Sequence, residues 1–368
     1  NGYDNIVIAM DNDDAGHAAT ERLLEILPVG KVKVMLGPKG DANDYLIGKL
    51  SKEWYSNFYA ADKPKLAGIV SSSELHDNIG NRQYKDLIPL PPILHKANEM
   101  LLGGLPSDEI TNILAGSGVG KSTIVDEFIY HWIRYSTKKI TILSFESGSD
   151  KYSDKLISRH LGVNVGRIVD RDDEGVVLPT KRKKEQFLAK ESTKESTRDL
   201  FYRDGEDAFY LIDNRDIMCN SSAIKNLIMK AITHGGSDVI IIDPIQDLLD
   251  SMKNEEQAEF CSWLKGIKKL AAIVLVNHAR KGNTGQKSAG RGAELDEQDM
   301  QGTSALYKSG GVNIVLSRDK EHEDAIEKNT TKVRITKNRD GSDTGRADDL
   351  YYEVATHMLH NKEKWSEN

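Results

Sequence analysis

The chain has 368 residues, 38% of them hydrophobic and 29% charged, and a formal net charge of −7. That length suits one large domain or two unequal ones, and no apolar run approaches the roughly 20 residues a membrane helix needs. There is no secretory signal, and the two cysteines, Cys219 and Cys261, belong to no C-x-x-C pair, which excludes a zinc motif and a disulfide framework. The acidic balance argues against a surface coated in positive charge but leaves room for a local basic channel.

Three regions follow in chain order. In residues 1–60, "NIVIAM" reads as a buried strand, "AGHAATERLLEIL" as an amphipathic helix and "KVKVML" as a second strand. This βαβ pattern implies a parallel sheet. The chain opens on Asn1 rather than Met, with a strand almost at once, and reads as a fragment of a longer one. Residues 61–85 are linker-like ("AADKPKLAGIV"), then form a short helix in "SSSELHDNI" behind a serine N-cap, a place for a neighbouring subunit to dock. In residues 86–368, strand-like runs recur: "EITNILAG", "KITILSFE", "DVIIIDPI", "AAIVLVNH", "GVNIVLSR", "TKVRITKN" and "LYYEVA". Helical stretches separate the early ones, giving an α/β domain with a mostly parallel central sheet that ends in antiparallel strands. The charged segment Asp170–Asp199 reads as a solvated helix or flexible insertion without chemistry.

The chemistry concentrates in "ILAGSGVGKSTIVDEFIYHWI". Gly120, Lys121 and Ser122 fit the phosphate-loop pattern G-x-x-x-x-G-K-[ST], with Ala115 in place of its first glycine. Gly116, Ser117 and Gly118 form a tight loop whose N–H groups face phosphates. Lys121 suits the β- and γ-phosphates and Ser122 suits Mg²⁺, and the helix from Thr123 points its positive end at the anion. Asp243 ends the apolar strand "DVIIID" and supplies the second metal carboxylate. Glu146, ending the strand after the loop helix, is the candidate to orient an attacking water. Asn277 and His278 end "AAIVLVNH", where a polar side chain can sense the γ-phosphate. A surface glutamate and a structural histidine are the bland alternatives, and the phosphate loop outweighs them.

After His278, "ARKGNTGQKSAGRG" carries Arg280, Lys281, Lys287 and Arg291, four glycines and no acid, which suits the backbone of single-stranded nucleic acid. In "VRITKNRDGSDTG", Lys337 and Arg339 fall on one face of a strand by alternation. A neighbouring subunit's γ-phosphate would use them, since an arginine in trans is worth about 10³–10⁵ in rate.

The phosphate loop, "SFES", "IIIDP", "VNHARKG", "QGTSALYKSGGVNIVLSR" and "ITKNRDGSDTG", in this order over residues 86–360, resemble the helicase domain of the bifunctional primase–helicases of T-odd phages. These are related to the mitochondrial helicase Twinkle and the bacterial DnaB-type helicases. Upstream, "IVIAMDNDDAGHAA" and "GPKGDANDYLIG" are similar to the second half of a TOPRIM fold, which binds Mg²⁺ through acids, here Asp11, Asp13 and Asp41.

The resemblance implies a RecA-like P-loop NTPase domain behind a partial TOPRIM domain. It implies a homo-oligomeric ring, six subunits expected with seven left open, that moves 5′→3′ on single-stranded DNA with ATP or dTTP and Mg²⁺. It implies that Lys121 and Ser122 bind phosphates and Mg²⁺, that Glu146 is the catalytic carboxylate, that Asp243 holds the metal through water and that His278 senses the γ-phosphate. Arg339, with Lys337, reaches in from the next subunit, and Arg318 packs on the base; the preferred NTP depends on packing around Arg318, with a part for Tyr351 or Tyr352 left open. A replicative DNA polymerase partner and the cytoplasm of an infected bacterium follow, with the mitochondrial matrix as the alternative location and no membrane.

Gln301 stands where the family usually has arginine, which puts a contact there in doubt, and Lys308 is the candidate to compensate on DNA. The TOPRIM catalytic glutamate and a zinc module are missing, so this stretch alone is not expected to make primers. The competing readings are a RecA-like strand-exchange ATPase, an ATP switch without nucleic acid, and a primase in which the helicase domain only builds the ring.

Overall fold

Strands β1 (Ile6–Ile8) and β2 (Val32–Val34) pair in parallel, Ile6 against Val32, with the helix Asp14–Ile26 between them. Asp62 extends this small sheet by an antiparallel bridge to Val34. The short helix Ser72–Asp77 starts in a capping box, the Ser71 hydroxyl accepting from Glu74 N–H while the Glu74 carboxylate accepts from Ser71 N–H. These elements belong to the first of two compact units, Asn1–Tyr84 and Lys85–Asn368. The structure is a computed structural model that describes residues 2–28, 30–35, 42–64, 70–213, 220–279 and 308–365.

The second unit is built on a nine-stranded sheet among the described residues. Its strands are β3 (Ile110–Ala115), β4 (Ile140–Ser144), β7 (Phe209–Asp213), β8 (Val239–Asp243), β9 (Ala272–His278), β10 (Val312–Ser317), β11 (Thr330–Asn338), β12 (Gly345–Glu353) and β13 (Met358–Asn361). A separate two-stranded hairpin, β5 (Tyr202–Arg203) and β6 (Glu206–Asp207), precedes β7. The order across the sheet is β13-β12-β11-β10-β3-β9-β8-β4-β7, parallel from β10 to β7 and antiparallel from β10 to β13. The parallel core and antiparallel finish match the pattern read from the sequence. Strands β7 and β13, at the two edges, are additions to that reading.

The core strands are continuous apolar runs because both faces are covered. Val239 and Ile241 join Phe128, Ile129 and Trp132 of the helix Lys121–Tyr135 on one face. Ile240 and Ile242 join Leu248, Phe260 and Leu264 of the helices Ile245–Asp250 and Asn254–Ile267 on the other.

The charged segment from Asp170 is ordered into two helices, Arg182–Ala189 and Glu191–Phe201. The Asp170 carboxylate accepts from Arg182 N–H and Lys183 N–H and so caps the first, while Thr193, Thr197 and Leu200 bury one side of the second.

The topology places the site. The chain leaves β3, forms the helix Lys121–Tyr135 and re-enters the sheet at β4, skipping the positions that β9 and β8 later fill. A crevice opens beyond the carboxyl ends of the strands where the winding changes direction.

Candidate active site

β3 runs directly into Gly116–Gly120, and two glycines there have backbone angles that side chains resist: Gly118 at φ +70 and Gly120 at φ +106. A Cβ on Gly120 would lie 2.9 Å from the Thr331 hydroxyl, which itself donates to the Val119 carbonyl. Gly120 caps the helix Lys121–Tyr135 with no side-chain hydrogen bond, so the first-turn N–H groups are left facing the cleft. Arg159, from the helix Ser149–Leu161, donates to the Thr123 carbonyl and pairs with Glu127 at 2.8 Å, fixing the first turns of that helix.

Four strand ends supply the rest. Lys121 Nζ, only 6% exposed, lies 3.2 Å from His278 Nε2, 3.7 Å from Glu146 Oε1 and 3.9 Å from Asp243 Oδ1. His278 Nε2 is 3.4 Å from Glu146 Oε1. The register accounts for the convergence, because Ala115 pairs with His278 across β3–β9 and Ser144 with Asp243 across β4–β8. Asn277, which precedes His278, is fully buried and points away from the cleft, so the two polar residues at that strand end divide their roles.

The two carboxylates are driven apart electrostatically. Interaction with His278, aided by the charge of Lys121, holds Glu146 down at about 2. Burial, with Asp126 and Glu146 as like-charged neighbours, pushes Asp243 up to about 6 against the pull of Lys121. Such a split between adjacent acids marks sites that divide labour. Asp243 Oδ1 is buried and makes no hydrogen bond to any described group. A buried carboxylate oxygen left open beside the Ser122 turn fits a divalent cation held directly or through water.

The cleft, about 360 Å³, is lined by Gly116, Ser117, Gly118, Gly120, Lys121, Ser122, Thr123, Glu146, His278, Arg318 and Tyr352. All eight residues expected to bind the nucleotide, Arg318 included, thus line one cleft, together with Glu146 and His278. Arg318 is tied by Nε to the Lys328 carbonyl and by a terminal nitrogen to Asn329 Oδ1, and Tyr352 N–H donates to the Asn329 carbonyl. Tyr352 is therefore the tyrosine at the cleft, whereas Tyr351 stacks on Trp365 with centroids 4.4 Å apart. Alternation along β12 sends the two rings to opposite faces.

Lys337 and Arg339 lie elsewhere. Asn313 pairs with Lys337 and Val312 with Asn338, so both residues sit at the amino end of β10, the sheet edge opposite the phosphate loop. The six residues of β3 separate those edges by roughly 17 Å at about 3.3 Å per residue. Simple alternation does not hold to the end: the β10–β11 register shifts at Asn313/Ile314, and Arg339 falls one residue beyond β11. Lys337 Nζ donates to the Lys308 carbonyl, and Arg339 pairs with Glu109 at 3.0 Å. Lys308 itself is exposed. Arg280, Lys281, Lys287, Arg291, Gln301 and Asp41 lie outside the described residues.

In the first unit, Asp11 lines a cavity with Asn12, His17 and Glu21. Asp13 is the N-cap of the helix Asp14–Ile26, its carboxylate accepting Gly16 N–H at 2.7 Å. Among the described residues no three acidic, histidine or cysteine side chains gather as a metal site, and Asp41, the third member of the Asp11 and Asp13 set, lies outside them.

Sequence reasoning overlooked Gln246, which accepts the backbone N–H of His278 at 3.1 Å. Its signal was a lone uncharged polar residue inside the apolar stretch "DPIQDLL".

Comparison with known proteins places this geometry. Residues 93–358 match the family described as DnaB-like helicase C terminal domain, and residues 1–46 match Toprim-like. The chain is 26% identical over 374 aligned positions to the DNA helicase/primase of Enterobacteria phage T3, covering 97% of this chain and 61% of that protein. It thus spans less than two thirds of that relative's length. Among solved structures, the ATPase domain of G40P superposes with a TM-score of 0.54 at 15% identity, over 88% of this chain and 99% of that one, which supports the fold. A KaiC-like protein of Pyrococcus horikoshii OT3 superposes with a TM-score of 0.47 at 14% identity, over 76% and 99%.

Proposed function

Since the chain belongs to the DnaB-like helicase C-terminal domain family, with a nucleotide- and divalent-metal-using ATPase fold, we propose that it is the motor of a replicative DNA helicase from a primase–helicase. In this reading it hydrolyses ATP or dTTP with Mg²⁺ and moves 5′→3′ along single-stranded DNA as a ring of six. The observation that carries the reading is the meeting of Lys121, Glu146, Asp243 and His278, from four strand ends, around one glycine loop.

The loop N–H groups and Lys121 hold the β- and γ-phosphates. Asp243 and Ser122 would hold Mg²⁺, which neutralises charge on the transferred phosphoryl group. Glu146, kept ionised, orients the attacking water and receives its proton. His278, already beside Lys121, touches the γ-phosphate and changes partner when it leaves. Arg318 and Tyr352 pack on the base.

Arg339 and Lys337 act on the next subunit's nucleotide. A head-to-tail ring sets the far sheet edge of one copy against the cleft of its neighbour, the heterologous arrangement in which every interface carries the same composite site. Arg339 would exchange Glu109 for the γ-phosphate. The helix Ser72–Asp77, with Leu75 exposed on it and Ile79 exposed in the turn that follows, suits docking between subunits. Arg280, Lys281, Lys287 and Arg291, with Lys308, are assigned to the DNA backbone; the support is their position in the sequence, directly after the γ-phosphate sensor. A DNA polymerase partner follows from the same reading.

The test is NTP hydrolysis with and without single-stranded DNA, with Glu146→Gln alongside. Strong stimulation by DNA, lost in Glu146→Gln, is expected. Hydrolysis indifferent to DNA would remove the motor and leave an ATP switch.

A further inference from the structure

We infer that Gln246 is the positioning residue for His278, acting as the last link of a directional chain of buried amides that crosses the sheet. This rests on the proposed NTPase reading of the cleft and adds a residue to it.

The need arises from strand parity. Ile273 N–H donates to the Glu109 carbonyl just before β3, and Ala272 N–H donates to the Asp238 carbonyl just before β8. Odd-numbered N–H groups of β9 therefore face β3 and even-numbered ones face β8. The β8–β9 pairing stops at Ile242–Leu275, because β8 ends at Asp243 and its chain turns away to open the crevice. His278 N–H consequently points where a strand has ended. Ala279, facing the other side, still donates to the Ala115 carbonyl.

Gln246, from the first turn of the helix Ile245–Asp250 and 5% exposed, fills that gap. Its Oε1 accepts His278 N–H at 3.1 Å, and its Nε2 donates to Asn277 Oδ1 at 3.4 Å. Asn277 Nδ2 donates to Asn112 Oδ1 at 3.3 Å, and Asn112 Nδ2 donates to Asn313 Oδ1 at 2.9 Å. The three asparagines have no exposed surface. Every bond runs the same way, and the direction is set at one end, because a backbone N–H can only donate and forces Gln246 to present its oxygen. Aligned amides in a dry interior polarise one another. At the far end, a Cβ on Gly310 would be driven into the Asn112 amide, so glycine there leaves room for the chain of bonds.

The consequence lies at the cleft. His278 has its ring 3.2 Å from Lys121 and 3.4 Å from Glu146, and its backbone is held on one side by β3 and on the other by Gln246. Removing the amide leaves a buried N–H without an acceptor and frees His278 to shift. A displacement of about 1 Å at a reacting centre can cost about 100-fold in rate. None of these four hydrogen bonds involves the phosphate loop, so nucleotide binding should persist.

The test is a double-mutant cycle of Gln246→Met and His278→Ala, read as kcat and KM for NTP hydrolysis by the full chain. Gln246→Met should lower kcat at least 10-fold with KM changed less than threefold, and should lower it no further in a His278→Ala background. Equal losses in both backgrounds, or a KM that rises with the fall in kcat, would overturn the assignment and make Gln246 a packing residue. If Gln246→Met does not fold, Gln246→Leu, which likewise offers no acceptor for His278 N–H, enters the same cycle with the same criterion. Wild-type protein that hydrolyses no NTP would instead sink the NTPase reading itself.

Discussion

Replacing Asp243 with asparagine should make the metal-free protein more stable, and only at neutral and alkaline pH. The Asp243 side chain is 14% exposed, with one oxygen buried and unbonded, and burial raises its pKa from 3.8 to about 6 despite Lys121 and Lys155 nearby. The folded state therefore holds its proton more tightly than the unfolded chain, so its contribution is intact below the unfolded value and is lost as pH rises through about 6. At about 1.36 kcal/mol per unit, the rise from 3.8 to about 6 corresponds to about 3 kcal/mol in full. About two thirds of this develops between pH 4.5 and 8. Asparagine carries no charge at either pH and escapes the penalty. For a unit of this size about 2 kcal/mol is a shift of roughly 4 °C. Thermal melts in chelator at both pH values measure it: the mutant should gain on the wild type by that amount on going from pH 4.5 to 8. With Mg²⁺ and nucleotide the order should reverse, because only the wild type is stabilised by the ligand. A mutant that melts at or below the wild type at pH 8 without metal, or a gap that ignores pH, would refute the view that Asp243 is a destabilising charge kept for a cation.

Three further outcomes follow from the geometry. Gly120→Ala forces a side chain onto φ +106 and against the Thr331 hydroxyl, a strain of about 1–3 kcal/mol, and should weaken fluorescent-nucleotide binding about 10-fold or more; Gly162→Ala, at φ +63 with open space around it, should leave binding unchanged. Tyr352→Ala should raise KM for NTP about 10-fold, at about 1–3 kcal/mol per stacked base, while Tyr351→Ala, whose ring is engaged with Trp365, should not; equal effects would remove Tyr352 from the base. Arg339→Ala should cut hydrolysis by about 10³ with little change in stability, since its side chain is 47% exposed; mixing Arg339→Ala subunits with inactive Lys121→Ala subunits should restore part of the activity, because some interfaces then pair an intact cleft with an intact arginine, and absence of restoration would argue against action in trans.

What the sequence disclosed, and what it hid, divides along physical lines. The apolar runs of β3, β4, β8, β9 and β10 were legible because buried parallel strands must be apolar on both faces, and Asp243 and His278 stand at the ends of β8 and β9 where the cleft uses them. The edge strands β7 and β13 were not, since their burial is partial and their pairing depends on partners far away in the chain. Lys337 and Arg339 were picked out by charge, but a register shift in β11 upset the alternation argument. Tyr351 and Tyr352 were indistinguishable until strand direction assigned one to the cleft. The amides of Asn112 and Asn313 gave no signal and Asn277 was read only as a strand-end polar residue, because the link between them is visible only when three strands are set side by side.

The arrangement of charge explains why such a site would wait for its neighbour. Within one copy, Lys121 already has Glu146, Asp243 and His278 around it, and Arg339 already has Glu109, which also holds Lys268 at 2.7 Å. In the same subunit's cleft the described cations beside the phosphate loop are Lys121, Arg318 and Lys320, whose Nζ donates to the Ser117 carbonyl. Arg339 lies roughly one strand length, about 17 Å, from its own cleft, so in the proposed ring it would serve the adjoining copy's cleft. Moving Arg339 from Glu109 to a γ-phosphate exchanges one carboxylate partner for a more highly charged anion, and Glu109 keeps Lys268, so the exchange strands no buried charge. In the proposed ring, an arginine held in reserve on a spare carboxylate would cost the free subunit little and would tie hydrolysis to assembly.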